Sequence, residues 1–162
     1  MISLSNRLAP LIIIAFWLVV MAMVYTGITH FSKAKPQVVS SLGELVLTRE
    51  RDGHFYADGD VNGQSVRFLV DTGASLVVID QALANRAGLD TGEPMIFNTA
   101  NGQLKGYAAP NAVVRIGPLT ISNIRVGVGL NAGFGAQALL GQNFLSKFDV
   151  SISGQEMILR KR

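Results

Sequence analysis

Short apolar runs alternate with turn residues along most of this chain, but one apolar run near the start is far longer than the rest. From Leu8 to Thr29 no residue is charged, and Ala9 to Val24 is almost wholly aliphatic or aromatic. A helix of roughly 20 apolar residues matches the thickness of a bilayer core, and Pro10 suits a first helical turn. A cleaved signal peptide would have an apolar core of about 7–15 residues closed by a small-x-small site. Tyr25-Thr26-Gly27-Ile28-Thr29-His30 offers no such pair. The pattern therefore predicts a tail at 1–8, an uncleaved transmembrane signal-anchor helix at 9–28 and a polar linker at 29–43 carrying Lys33, Lys35 and Pro36. One domain is expected over 44–162.

Within that domain the period changes to that of strands. Leu45 and Leu47 alternate with Val46 and Thr48, and Arg51-Asp52-Gly53 reads as the turn of a hairpin returning over His54 to Val61. Asn62-Gly63 between two β-like segments is among the strongest short hairpin signals, and Gln64 to Val70 climbs away from it. Asp80 to Gly88 reads as a short helix with Asp80 as N-cap and Gly88 just past its end. Met95 to Tyr107 predicts a hairpin with its tip at Asn101-Gly102, and Ala112–Ile116 and Leu119–Val128 a meander turning at Gly117-Pro118. Leu139-Leu140-Gly141 precedes a second short helix from Gln142 to Lys147, and strands at Phe148–Ile152 and Met157–Arg160 end the chain. The prediction is a mainly β domain with two short helices.

Composition narrows the chemistry. The chain has no cysteine, which excludes disulfides, thiolate metal sites and a cysteine nucleophile. With two histidines, His30 and His54, no spacing suggests a metal site, and no metal or other cofactor is expected. The pI near 9.5 could suggest nucleic acid. Yet three of the fourteen basic residues, Arg7, Lys33 and Lys35, flank the apolar segment, leaving eleven against eleven acids in 36–162. That domain is formally neutral and shows no basic face, so no nucleic-acid partner is expected. The flanking charges are nearly balanced and do not orient the helix.

The most informative residue is Asp71. Phe68-Leu69-Val70 runs into Asp71-Thr72-Gly73-Ala74-Ser75, and Leu76-Val77-Val78-Ile79 runs out, with no other charge between Arg67 and Asp80. Two apolar runs read as buried strands, which predicts a buried aspartate on the tight loop between them. Burial disfavours a charged carboxylate, and a group held there suggests chemistry that uses its acidity. Gly127-Val128-Gly129-Leu130-Asn131-Ala132 matches a dinucleotide-binding pattern, but further glycines follow and no helical period opens after it, so a glycine-rich loop is expected instead. His54, Asp58 and Ser75 make no convincing hydrolase triad, because Ser75 lacks the nucleophile-elbow pattern.

Phe68 to Ser75, the Thr99-Ala100-Asn101-Gly102 hairpin and Leu139-Leu140-Gly141-Gln142-Asn143-Phe144-Leu145 together resemble the retropepsin-like aspartic proteases, in the bacterial membrane-anchored branch. The resemblance covers roughly Leu45 to Leu159. It implies a closed β-barrel protomer and an aspartic endopeptidase that cuts protein or peptide substrates with a water activated between two carboxylates. The chain holds one Asp-Thr-Gly; Asp58-Gly59-Asp60 and Asp149-Val150-Ser151 do not supply another. The implied partner is a second copy, each contributing Asp71 across a two-fold axis. The resemblance implies catalysis by Asp71, loop support from Thr72, Gly73 and Ser75, and a flap touching substrate at Thr99, Ala100, Asn101 and Gly102. Thr72 would bond across the dimer axis and Ser75 would bond the outer Asp71 oxygen. The flap tip carries no aromatic, which departs from the best-known members. The implied location is a bacterial inner membrane, with 9–28 in the bilayer and the domain in the periplasm. The alternative is a catalytically silent module of the same shape that binds peptides or dimerises.

Overall fold

The structure is a computed structural model that describes residues 5–31, 38–40, 43–99, 102–129 and 138–162. The chain divides into two units, 1–35 and 36–162. In the first, helix α1 (Ser5–Phe31) is long and apolar enough to cross a bilayer over Pro10–Gly27. That property suits a membrane anchor and equally a signal sequence. Because α1 begins at Ser5, Pro10 is its sixth residue and lies inside the helix, beyond the first turn expected for it, where the missing N–H removes an intrahelical bond.

The second unit is mainly β. In chain order its strands are β1 (Val38–Val39), β2 (Leu45–Thr48), β3 (Tyr56–Val61), β4 (Gln64–Val70), β5 (Val77–Ile79), β6 (Glu93–Thr99), β7 (Gly102–Ile116), β8 (Leu119–Val128), β9 (Ala138–Leu140), β10 (Phe148–Ser153) and β11 (Glu156–Lys161). Two short helices, α2 (Gln81–Arg86) and α3 (Gln142–Leu145), interrupt them. One sheet has the order β3-β4-β9-β5-β8-β7-β6, and β3 also pairs β7 through Asp60↔Arg115 and Val61↔Val114. That extra pairing closes six strands into a barrel and leaves β6 outside, paired only with β7. The second sheet has the order β1-β2-β11-β10.

Alternation puts the core inside the barrel. Val66, Phe68 and Val70 of β4 are buried while Ser65 and Arg67 face outward, as a period of two requires. Phe68 meets Ile79, Val114, Val126 and Leu140 in one apolar cluster, all of them without exposed surface. Burying a side chain such as Phe68 stabilises the fold by roughly 1.5–3 kcal/mol.

The punctuation expected from the sequence is present. Asn62 (φ 49°) and Gly63 (φ 80°) make the turn between β3 and β4, the left-handed pair such a turn needs. Asp80 caps α2 by accepting from Leu83 N at 2.6 Å, and Gly88 (φ 61°) follows its end. The turn at 51–53 is also formed, but it does not join a hairpin. Strand β2 pairs with β1 and β11, through Leu45↔Leu159 and Leu47↔Met157, while β3 enters the barrel. The turn therefore passes the chain from one sheet to the other. A local lock holds it: the Tyr56 hydroxyl donates to Asp52 Oδ2 at 2.6 Å. Burial and that bond push Tyr56 up to about 12, and the bond holds Asp52 below the ordinary carboxylate value.

Candidate active site

The Asp71 loop leaves β4 at Val70 and enters β5 at Val77, and its backbone is held from behind by residues some 70 positions later in the chain. Asp71 N donates to Leu140 O at 3.1 Å, which seats the loop on β9. Gln142 N donates to Ala74 O (2.8 Å), Asn143 N to Ser75 O (3.1 Å) and Gln142 Nε2 to Thr72 O (3.0 Å). The Asn143 side chain accepts from Val77 N at 2.8 Å and donates to Arg125 O at 2.7 Å. Nearly every carbonyl of the loop thus has a partner, which a loop without sheet pairing requires. Gln142 and Asn143 were missed as site residues in the sequence reading. The signal available was two amide side chains directly after Leu139-Leu140-Gly141, at the start of a helix too short to need them.

Asp71 itself is half-buried, not enclosed as its apolar flanks suggest, and among the described residues no polar side chain is fully buried. The flanking strands are buried, but the loop lifts the carboxylate to their edge. Its Oδ1 accepts from Gly73 N at 2.9 Å. Thr72, Gly73 and Ser75 are exposed beside it. Within one copy no hydrogen bond joins Ser75 to Asp71; Ser75 acts in the loop through its carbonyl.

Asp71 opens into a cleft of about 670 Å³. Val78 and Leu139 line its floor, and Met95, Phe97 and Thr99 of β6 line the opposite side. Thr99 Oγ1 donates to Gly102 O at 2.8 Å, and Thr99↔Gly102 is the last pair of the β6–β7 ladder. Gly102 (φ 111°) is therefore the first residue of β7 and not the second tip residue. Ala100 and Asn101 lie outside the described residues, as do Leu130, Asn131 and Ala132 of the glycine-rich loop. The described part of that glycine pattern has a packing role. A Cβ on Gly127 would stand 2.6 Å from Phe97 Cε1, and one on Gly106 would stand 2.8 Å from Phe97 Cε2. The glycines make a seat for the Phe97 ring, two pairs from the last pair of the β6–β7 ladder. Among the described residues no three His, Asp or Glu side chains gather as a metal site would need.

Comparisons with known proteins agree with this geometry. The family model for "gag-polyprotein putative aspartyl protease" matches residues 57–147. The crystal structure of a retropepsin-like aspartic protease from Rickettsia conorii superposes with a TM-score of 0.59 at 31% identity, covering 78% of this chain and 95% of that one. An uncharacterized protein of Rickettsia prowazekii (strain Madrid E) is 34% identical over 154 residues, 83% of this chain and 64% of that protein. An uncharacterized protein from the cobV 5′ region of Sinorhizobium sp is 34% identical over 113 residues, 66% of this chain and 47% of that protein. The chain thus spans about half to two thirds of the length of the curated relatives it matches.

Proposed function

The chain belongs to the retropepsin-like aspartic protease family, and on that footing we propose that it is an aspartic endopeptidase, active as a homodimer and anchored in a membrane by α1. The observation that carries this reading is the loop. One Asp-Thr-Gly opens into a cleft whose only other charged lining residue, among those described, is Arg125. A lone carboxylate has little power as a catalyst of peptide hydrolysis. Two such carboxylates about 3 Å apart cannot both ionise and share one proton. The ionised member takes a proton from water as it attacks the peptide carbonyl, and the protonated member donates to the carbonyl oxygen. Asp71 from each of two copies supplies both roles, with Thr72 bonding across the axis and the β6–β7 hairpin excluding water from above.

A free strand edge supports the homodimer. Strand β10 ends the four-stranded sheet, and its Val150 and Ile152 are 38% and 51% exposed on the face that carries buried Leu159 and Met157 in β11. An open edge with apolar side chains invites pairing with another chain. Because α3 connects the loop clamp directly to β10, an axis at this edge stays close to Asp71. Ile152→Lys is expected to raise the dimer dissociation constant at least about tenfold, since a charge on each of two copies must be buried or pushed aside. Sedimentation of fragment 36–162 measures it; unchanged association would move the interface elsewhere.

The anchor reading adds a concentration effect. Helix α1 confines the domains to a plane, and residues 29–43 let two domains meet. Fragment 36–162 should cleave an unstructured peptide library with a specific activity that falls on dilution, while the full chain in membranes keeps its activity at the same bulk concentration. The relatives come from bacteria, and the proposed location is accordingly a bacterial inner membrane, with the domain in the periplasm. No cleavage of any peptide at any concentration would favour a silent binding module. Specific activity that stays constant to nanomolar levels would mean a tight dimer, with the helix used for location alone.

A further inference from the structure

Arg125 has no part in the dyad chemistry, yet it is the one cation among the described residues that line the cleft. Its backbone is rigid. Val126 pairs with Val77, and the Asn143 side chain holds Arg125 O at 2.7 Å and Val77 N at 2.8 Å together. The same amide that steadies the catalytic loop therefore fixes where Arg125 starts. The guanidinium is freer: its side chain is 50% exposed and bonds Glu93 Oε2 at 2.9 Å. Glu93 is 82% exposed and is the first residue of β6, at the base of the hairpin over the cleft. So wet a pair is weak, because water screens the attraction and both long side chains lose freedom. A different carboxylate entering the cleft can replace Glu93 while Arg125 stays in place.

We propose that Arg125 reads an acidic side chain of the substrate, and that Glu93 occupies it while the cleft is empty. This rests on the peptidase reading and adds the substrate class. An arginine fork matches a carboxylate through two parallel N–H bonds, and the cleft that Arg125 lines also carries the apolar Leu76, Val78 and Leu139. Arg125 adjoins Leu76 and Val77, past the far end of the Asp71 loop. The residue it reads therefore lies outside the two that flank the cut bond. A lysine at that substrate position is rejected by the same charge.

The test uses the full chain in mild detergent and paired peptides with Glu or Gln at each position around a cut site. The wild type should prefer Glu at one outer position by about fivefold or more in kcat/KM, and 0.5 M salt should shrink the ratio. Arg125→Gln should bring the ratio close to one, Arg125→Glu should invert it in favour of Lys, and Glu93→Gln should raise it. A merely structural ion pair would slow both peptides alike, and Glu93→Gln would not raise the ratio. Equal cleavage of Glu and Gln peptides by the wild type overturns the proposal while leaving the peptidase reading standing. If no peptide is cut, binding of the same labelled peptides to the Asp71→Asn chain decides: preference for Glu that Arg125→Gln removes supports it, and equal binding overturns it.

Discussion

Asp71→Asn is expected to take peptide cleavage below detection while the domain stays folded and dimeric. On the proposed homodimer the substitution changes both members of the dyad at once, because the same residue would come from each copy. A positioned acid or base contributes about 10²–10⁴-fold in rate, and an amide can neither take the proton from water nor donate one as an acid. Little structure is disturbed. Asn Oδ1 keeps the acceptor that Gly73 N uses at 2.9 Å, and the half-buried position accommodates an isosteric side chain. The stability change for a single copy should be within about 0.5 kcal/mol. In the dimer, two acids that repel are replaced by two amides, so association is unchanged or tighter. Peptide digestion read by mass spectrometry, with thermal unfolding and sedimentation of the same sample, checks both halves. Cleavage at the wild-type rate would remove the aspartic mechanism. An unfolded variant would show that Asp71 serves the loop before it serves the chemistry.

The residues most legible in the sequence were those whose structure is settled by their neighbours. Asn62-Gly63, Asp80 with Gly88, and the alternation in Val66, Phe68 and Val70 each carry their cause within a few positions, and each element is present. What could not be read locally was partner choice. The 51–53 turn is as good a hairpin signal as 62–63, yet β2 finds β11 more than a hundred residues later. Turn chemistry fixes a reversal and says nothing about which sheet the next strand joins. The same limit hid Gln142 and Asn143, whose bonds to Thr72, Ser75 and Val77 cross 66 to 70 positions. Asp71 was misjudged in burial, because apolar flanks describe the strands and not the loop between them. The packing use of Gly127 was not legible locally, because it needed Phe97, thirty residues earlier, to be seen lying on it.

Gly141→Ala should be among the most damaging single methyls in the domain, and the one aimed at the Asp71 loop. Its backbone, at φ −96° and ψ −175°, is ordinary for any residue, so conformational freedom gives no reason for glycine here. Space does. A Cβ would stand 2.2 Å from Leu76 O, 2.5 Å from Leu76 C and 2.8 Å from Ala74 O. All three are backbone atoms on the catalytic loop and the strand it enters, and no side-chain rotation relieves the contact. Overpacking of this kind costs about 1–3 kcal/mol. The loop must move away from the clamp, which weakens the bonds from Gln142 and Asn143, each contributing roughly 0.5–1.5 kcal/mol. A loss of some 3 kcal/mol lowers Tm by roughly 10–15 °C for a domain of this size. Gly154→Ala is the matching control. That glycine has φ 55° and nothing within 4 Å of its missing Cβ, so the cost is the left-handed backbone alone, about 1–2 kcal/mol, and it does not line the cleft. The expected contrast is in activity at a temperature where both variants are folded. Gly154→Ala should cut peptide at nearly the wild-type rate, whereas Gly141→Ala should lose most of its turnover, since the dyad demands two loops placed to a fraction of an ångström. Equal activity in the two would mean that the segment behind the loop supports the barrel without positioning Asp71.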